Sequence, residues 1–274
     1  MRPALLVRVV VKVLACGMLL ASCAPGGGNG RPGATPHRGR PSVVERLQVD
    51  VIRVLPHDPT SFTQGLELVD GTLYESTGVA GESTVRAGRP GGPPSVLTRL
   101  PPPLFGEGLT VVGRTLWQLT WQDGVAIERD ARTLAEVRRI AYPEEGWGVC
   151  HQRHRARLVT SDGSSRLTFR DPRTLAKTGG IEVTARGRPV GRLNELECVG
   201  DLVYANVWPT DRIVRIDTRT GTVSGEVDAT GLLAPDERGR ADVLNGIAAV
   251  PGTDQFLITG KWWPKTFRVR FVPR

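Results

Sequence analysis

From Arg46 onward, short apolar runs of strand-forming residues alternate with Gly, Pro and Asp, and little of the chain has the period of about 3.6 residues that marks a helix. This pattern predicts an all-β domain. Five segments repeat one arrangement, in which a polar or aromatic residue leads into a short strand, a turn and a second strand. The five align on Gly65, Gly108, Gly148, Leu196 and Gly246, with spacings of 43, 40, 48 and 50 residues.

A third strand follows most of these segments, and three of the third strands run into a turn that begins with Asp. Asp is favoured there because its side chain accepts a hydrogen bond from the backbone two residues further on. These turns begin at Asp130, Asp171 and Asp217. A fourth strand follows each turn, so the repeating unit has four strands.

Four-stranded units repeated at this spacing are typical of β-propeller blades. The last copy lacks a fourth strand because the chain stops at Arg274, while the segment 47–54 precedes the first copy without a unit of its own. We therefore predict an all-β fold, a five-bladed β-propeller of four-stranded blades that the N-terminal strand closes in the last blade. A β-sandwich is the alternative, but it gives no reason for a regular repeat of four strands.

The first strand of each propeller blade lines the central channel, so equivalent positions of the five units converge there. The residues before the aligned positions are Gln64, Glu107, Trp147, Glu195 and Asn245. A purely structural core would place apolar residues at these positions, so the polar and aromatic ones favour a lined pocket. The alternative is a water-filled channel whose polar groups are all hydrogen-bonded. Aromatic residues and one lysine stand near the same strand ends: Phe62, Phe105, Trp121, Trp147, Trp208, Trp262, Trp263 and Lys261.

The first 23 residues have the pattern of an export signal. Basic residues precede a nine-residue apolar run that is too short to span a membrane. The run ends in Leu20-Ala-Ser-Cys23, which resembles the bacterial lipobox, in which the cysteine is acylated and becomes the new N-terminus. The sequence thus predicts a lipoprotein-type signal peptide at 1–23, a flexible Gly/Pro-rich tether at 24–44 and the β-propeller domain at 45–274. We expect an exported lipoprotein anchored to the cell membrane through Cys23; the alternative is a secreted or periplasmic protein cut by an ordinary signal peptidase.

The distribution of charge along the chain bears on its partners. The net charge of the 274-residue chain is +8, but its basic residues are spread out and form no block, which argues against nucleic-acid binding.

Only two of the four cysteines, Cys150 and Cys198, lie in the predicted domain. An exported chain meets an oxidising compartment, and the two residues are one repeat apart, so the sequence favours a disulfide between them. The alternative is two small buried residues.

The five units also carry motifs that together resemble one family, the plant-type glutaminyl-peptide cyclotransferases, from about Pro56 to Phe271. The motifs are Phe62-Thr-Gln-Gly-Leu66, Phe105-Gly-Glu-Gly-Leu109, Leu119-Thr-Trp121, Gly146-Trp-Gly148, Leu193-Asn-Glu-Leu-Glu197, Asn206-Val-Trp208 and Thr259-Gly-Lys-Trp262. The resemblance implies a five-bladed propeller that converts N-terminal glutamine to pyroglutamate and releases ammonia. It implies no zinc chemistry of the kind used by the unrelated animal-type enzyme, and no cofactor is required.

Carried over by position, the resemblance implies that Glu107 is the general acid/base and that Asn194 and Lys261 assist catalysis. It implies that the substrate is bound by Phe62, Gln64, Phe105, Trp121, Trp147 and Trp208. The chain departs from the family pattern at Cys150-His151-Gln-Arg-His154, where small polar residues are expected. We expect peptides or proteins with N-terminal glutamine as partners, contact with the membrane only through the lipid, and a monomer.

The sequence is compatible with two other functions. A non-catalytic propeller lipoprotein would bind ligands or partners at the channel mouth, since a fold does not determine a function. A metal-dependent lactonase or lyase would hold Ca²⁺ near the axis with Glu107, Glu195 and Asn245, with His151 and His154 as further ligands. A structural calcium ion in the channel is compatible with either alternative and with the cyclotransferase.

Overall fold

The structure is a computed structural model, and it describes residues 43–274. The predicted signal peptide, its lipidation residue Cys23 and nearly all of the predicted tether lie outside these residues. The described part consists almost entirely of β-strands, with two short 3-10 helices at Arg153–Arg155 and Pro235–Glu237. Neither helix in this part of the chain has the length and hydrophobicity of a membrane span.

Twenty-two strands follow one another in chain order. They are β1 Glu45–Pro56, β2 Thr63–Val69, β3 Thr72–Thr77, β4 Thr84–Gly88, β5 Pro94–Arg99, β6 Gly106–Val112, β7 Thr115–Thr120, β8 Val125–Asp130, β9 Glu136–Ala141, β10 Val149–Gln152, β11 Arg157–Thr160, β12 Arg166–Arg170, β13 Lys177–Glu182, β14 Thr184–Ala185, β15 Arg188–Pro189, β16 Leu193–Val199, β17 Leu202–Val207, β18 Arg212–Asp217, β19 Thr222–Asp228, β20 Leu244–Ala249, β21 Gln255–Gly260 and β22 Lys265–Pro273.

Three separate antiparallel sheets of four strands are formed by β2–β5, β6–β9 and β10–β13. The strands β16–β19 form a fourth such set, and β20–β22 are completed by β1, which pairs antiparallel with β22 from Leu47↔Pro273 to Pro56↔Lys265. A parallel pairing of β1 with β19 joins these last two sets into one larger sheet. The predicted all-β fold of four-stranded sheets is confirmed, and its arrangement is propeller-like.

The first strands of the sets pack side by side in a ring, in the order β2, β6, β10, β16, β20 and back to β2. The apolar core lies between neighbouring sheets, where side chains of alternating strand positions meet, for example Leu116, Leu158, Ile213 and Ile258. At the outer ends of the sheets, the predicted Asp turns are present. Asp130 and Asp171 each accept hydrogen bonds from backbone N–H groups two and three residues further on.

A β-bulge recurs near the start of four inner strands and corrects the predicted alignment of the fourth copy. In β6 the register jumps between Gly106 and Leu109, and in β16 it jumps between Leu193 and Leu196. The equivalent of Glu107 in the fourth copy is therefore Asn194, and Glu195 lies one position later. The sequence alignment on Leu196 was wrong by one residue because the fourth copy carries Glu195 where the other four copies carry the glycine on which they were aligned.

Glu195 instead accepts hydrogen bonds from the free backbone edges of β2 and β20, which are neighbours in the ring. Its Oε1 accepts a hydrogen bond from the N–H of Leu66 at 3.2 Å, and its Oε2 accepts one from the N–H of Ile247 at 2.9 Å. Glu67 accepts a bond from the N–H of Val111 at 2.6 Å in the same way. Inner strands expose one unpaired backbone edge to the channel, and a buried unpaired N–H is costly. These two carboxylates are therefore part of the scaffold.

The same shift of one residue affects the cysteines. Cys150 and Cys198 do not occupy equivalent positions, because the residue that matches Cys150 in the fourth copy is Glu197. Adjacent inner strands nevertheless bring the two Cα atoms to 5.4 Å, and the Sγ atoms are bonded in a disulfide. This bond ties β10 to β16.

Candidate active site

Glu107 stands in the bulge of β6 and is buried. Its Oε1 accepts a hydrogen bond from Nε2 of Gln64 at 2.7 Å, while its Oε2 has no hydrogen-bond partner among the described residues. Burial raises the pKa of Glu107 well above its ordinary value; Lys261 opposes this change and Glu145 reinforces it. The site thus holds a carboxyl group whose protonated form is favoured by burial, with one oxygen free for a ligand.

Lys261 follows the last residue of β21 and is also buried. Its Nζ lies 4.5 Å from the centre of the Phe62 ring, a cation–π contact. Burial lowers the pKa of Lys261, and the negative charges of Glu107 and Asp242 act in the opposite direction. The lysine and Glu107 are thus electrostatically coupled inside one dehydrated region.

Glu107, Gln64 and Lys261 form a buried polar group, and three further buried amides, those of Asn194, Asn206 and Asn245, extend it around the channel. Asn245 donates its Nδ2 to Oε1 of Gln64 at 3.1 Å, so Asn245, Gln64 and Glu107 form a hydrogen-bonded chain. Asn206 accepts a bond from the N–H of Gly246 at 3.1 Å. Oδ1 of Asn194, Oδ1 of Asn245 and Nδ2 of Asn206 have no partner within residues 43–274. Buried polar atoms are seldom left unpaired, so this group is suited to a ligand that carries both N–H and carbonyl groups.

An arc of aromatic rings surrounds these polar groups and contains all the aromatic residues predicted for the site. Ring contacts link Trp262 to Phe62 at 4.6 Å, Phe62 to Phe105 at 6.1 Å and Phe105 to Trp121 at 5.7 Å between centroids. A second pair joins Trp147 to Trp208 at 6.1 Å in a T-shaped contact. Such walls exclude water and strengthen the electrostatic interactions that they enclose.

Glu145 connects the two parts of this aromatic arc, and the sequence reasoning missed it. Its Oε2 accepts hydrogen bonds from Nε1 of both Trp121 and Trp147, each at 3.0 Å. Hydrogen bonds from Gln122 and from these tryptophans hold the pKa of Glu145 below its ordinary value, although burial acts against them. Glu145 immediately precedes Gly146-Trp-Gly148, but its role could not be read from the sequence because its partners Trp121 and Trp147 belong to different repeats. Trp263, by contrast, lies in the core and donates to the backbone oxygen of Asp242 at 2.7 Å.

A buried ionic network fixes the backbone on both sides of the site. Glu75 accepts hydrogen bonds from Oγ1 of Thr63 at 2.7 Å and from Nε of Arg86 at 2.8 Å. His57 lies 3.0 Å from Glu75 and donates its Nδ1–H to the backbone oxygen of Trp263 at 2.7 Å. Since Thr63 precedes Gln64 and Trp263 lies two residues after Lys261, this network positions two residues of the polar group.

The histidines considered as metal ligands lie elsewhere. His151 and His154 line a cavity of about 490 Å³ at the ends of the inner strands, whereas Glu107 lies near their beginnings. His154 is exposed and pairs with Asp201 at 2.8 Å. The structure therefore does not bring the proposed set of Glu107, Glu195, Asn245 and the two histidines together. Over residues 43–274 no group of three or more His, Cys, Asp or Glu side chains is arranged to hold a metal ion.

Comparison with known proteins gives consistent matches. Residues 28–271 match the family model described as glutamine cyclotransferase. A glutaminyl-peptide cyclotransferase of Arabidopsis thaliana is 38% identical over 230 residues, which cover 81% of this chain and 71% of the relative. The crystal structure of Myxococcus xanthus glutaminyl cyclase matches with a TM-score of 0.75 and 38% identity, over 85% of this chain and 100% of that chain.

Proposed function

The chain belongs to the glutamine cyclotransferase family, and on this premise we propose that it converts the N-terminal glutamine of peptides or proteins to pyroglutamate with release of ammonia. The observation that carries the proposal is the buried carboxyl group of Glu107, which has one free oxygen beside a buried lysine and unpaired amides. A scaffold that only bound partners would gain nothing from burying these groups without partners, since each one costs stability.

The reaction is an intramolecular acyl transfer. The α-amine nitrogen of the substrate attacks its own side-chain amide carbon, a C–N bond forms, and the bond to the original amide nitrogen breaks to release ammonia. The amine must be neutral, it must be held against the carbonyl, and the leaving nitrogen must be protonated. Aromatic walls that keep the glutamine compact supply the orientation, which accounts for a large part of the rate of such reactions.

We assign the proton transfers to Glu107. Its free Oε2 takes a proton from the attacking amine and delivers it to the leaving nitrogen, so that the carboxylate is regenerated in each turnover. Burial supports this assignment because it raises the pKa of Glu107 well above its ordinary value, so the carboxyl group holds the accepted proton more firmly. Gln64 holds the other oxygen and so fixes the orientation of the carboxyl group.

The negative charge that develops on the substrate oxygen requires donors. Nζ of Lys261 and the unpaired Nδ2 of Asn206 meet this requirement. The side chain of Asn194 forms no hydrogen bond within residues 43–274, so its Nδ2 is free to donate to the same oxygen, as the resemblance implies. We assign Oδ1 of Asn194 and Oδ1 of Asn245 to the N–H groups of the substrate.

The Glu107→Gln variant tests the proposal. Glutamine has nearly the same shape but cannot accept the proton, so we expect kcat/KM for a Gln-initiated peptide to fall about 100-fold or more with the fold intact. The measurement is ammonia release together with the mass loss of one ammonia from the peptide. The Glu82→Gln variant is the control because Glu82 is an exposed carboxylate. Turnover by Glu107→Gln at the wild-type rate would refute the role of Glu107; absence of turnover by the wild type would refute the proposed function.

We further propose that the sheets form five blades, with β1 as the outer strand of the last blade. This count is supported by the ring of five inner strands and by the pairing of β1 with β22. The proposed intramolecular acyl transfer requires no cofactor, and a structural metal ion in the channel is compatible with it.

Export as a lipoprotein remains our proposal from the sequence. The variant Cys23→Ser should move the protein from the membrane fraction to the soluble fraction, whereas Cys16→Ser should not. Unchanged membrane association of the Cys23→Ser variant would contradict lipidation at that residue.

A further inference from the structure

Two arginines stand on the aromatic arc without an acidic partner. The guanidinium carbon of Arg192 lies 5.1 Å from the centre of the Trp208 ring, and that of Arg240 lies 5.1 Å from the centre of the Trp262 ring. Both side chains are exposed, and neither forms an ion pair with any carboxylate in residues 43–274. A guanidinium stacked on a ring keeps the N–H groups at its edge free to bind an anion.

The fold places Arg192 where other sheets carry an aromatic wall. The backbone oxygens of Phe62 and Phe105 accept hydrogen bonds from Gly78 and Trp121, and the oxygen of Arg192 accepts the same bond from Trp208 at 2.9 Å. Arg192 is therefore the fourth-copy equivalent of Phe62 and Phe105. The fourth copy therefore carries a cation at the position where the first and second copies carry a phenylalanine of the aromatic arc.

The two arginines also mark the ends of the aromatic arc. The contacts run from Trp262 through Phe62 and Phe105 to Trp121, and Glu145 continues the arc to Trp147 and Trp208. No ring contact joins Trp208 directly to Trp262 among the described residues. The sets that contain these two tryptophans are neighbours in the ring, so the arc is open between them, with one arginine at each end.

We propose that Arg192 and Arg240 form a carboxylate-binding subsite, through which the substrate chain leaves the pocket. This inference rests on the proposed function and adds a substrate class to it: peptides with a carboxylate one or two residues after the N-terminal glutamine. The carboxylate comes either from an Asp or Glu side chain or from the free C-terminus of a short peptide. Arginine binds both through the same pair of parallel N–H···O bonds.

Matched peptides separate these two sources. Gln-Glu-Ala-amide is compared with the isosteric Gln-Gln-Ala-amide, and Gln-Ala-Ala with a free C-terminus is compared with its amide. For the wild type at low salt we expect kcat/KM to be about tenfold higher for the charged member of at least one pair, mainly through KM, because charge-assisted hydrogen bonds contribute that much when partly desolvated. The preference should weaken as salt is added.

The variants Arg192→Gln, Arg240→Gln and the double variant test which groups are responsible. We expect the ratio between charged and neutral peptides to fall to about one in the double variant, and to stay at the wild-type value in Arg132→Gln, an exposed arginine on an outer turn. A preference for the acidic side chain assigns that source, and a preference for the free C-terminus assigns the other; both support the subsite. Equal rates for charged and neutral peptides in the wild type, or a preference that survives in the double variant, would overturn it. Failure of the wild type to turn over any of the four peptides would instead overturn the proposed function.

Discussion

Replacement of Glu75 by glutamine should remove a large part of the stability of the network beside the site. Glu75 is buried and accepts hydrogen bonds from Thr63, Arg86 and His57. Both ring nitrogens of His57 face acceptors, the carboxylate and the backbone oxygen of Trp263, so both must carry a proton and the ring is an imidazolium. The network is therefore a buried carboxylate between two cations.

The size of the effect follows from the pKa of Glu75. Burial alone would raise it, but the charge and hydrogen bond of His57, the charge of Arg86 and the hydroxyl of Thr63 lower it from 4.5 to about 2. This difference corresponds to about 3 kcal/mol of stabilisation of the ionised form. Replacing the carboxylate also leaves His57 without a carboxylate partner within residues 43–274 and leaves Arg86 with Asp58 alone. We therefore expect Glu75→Gln to lower the free energy of unfolding by about 3–5 kcal/mol near pH 5.5.

The pH dependence has a definite sign on both sides. A lowered folded-state pKa means that the contribution of Glu75 is complete above about 4.5 and is lost as the pH falls toward about 2. The pKa of His57 is raised: burial acts against this, but Glu75 outweighs it. The contribution of His57 is therefore complete below about 6.5 and is lost as the pH rises through its folded-state pKa. The difference between wild type and Glu75→Gln should be largest between these limits.

Urea unfolding of the full chain at several pH values measures this difference. Glu136→Gln is the matched control, because Glu136 forms an exposed ion pair with Arg139 and such pairs contribute about 1 kcal/mol or less. If Glu75→Gln unfolds within about 0.5 kcal/mol of the wild type at pH 5.5, the network does not stabilise the fold as argued. A difference that stays constant from pH 3 to pH 8 would refute the assigned protonation states.

Other predictions concern the site itself. Lys261→Met should move the acid limb of the kcat/KM profile to higher pH, because the lysine charge lowers the pKa of Glu107; an unmoved limb would show that the two groups are not coupled. Glu145→Gln should move the same limb to lower pH, because the charge of Glu145 raises that pKa; a shift in the same direction as Lys261→Met would contradict this. Gly108→Ala should lower the free energy of unfolding in urea by about 1–3 kcal/mol, because its Cβ would lie 2.6 Å from the backbone oxygen of Trp147, which leads into the adjacent inner strand. Gly239→Ala is its control, with nothing within 4 Å, and equal stability of the two variants would refute the close packing of inner strands.

The sequence alone was sufficient for the repeat and for much of its local structure. Alternation of apolar and polar residues has a period of two in strands, and Asp has a local reason to begin a turn, so both are readable without a partner. The turns at Asp130 and Asp171 and the four-stranded sheets follow from such local rules. Because the units repeat, the sequence also identified Glu107 as a carboxylate at an inner-strand position, two residues after an aromatic ring.

Tertiary structure decided which side chains meet. The register of β16 places Asn194 level with Glu107, and Glu195 accepts hydrogen bonds from backbone N–H groups of two other inner strands. This register could not be read from the sequence because Glu195 stands where the other four copies carry glycine. Glu145 joins tryptophans of different sheets, and Arg192 replaces an aromatic wall, through contacts between residues far apart in the chain. Local propensity determines strands and turns, but the register between strands and the closure of the ring determine the site.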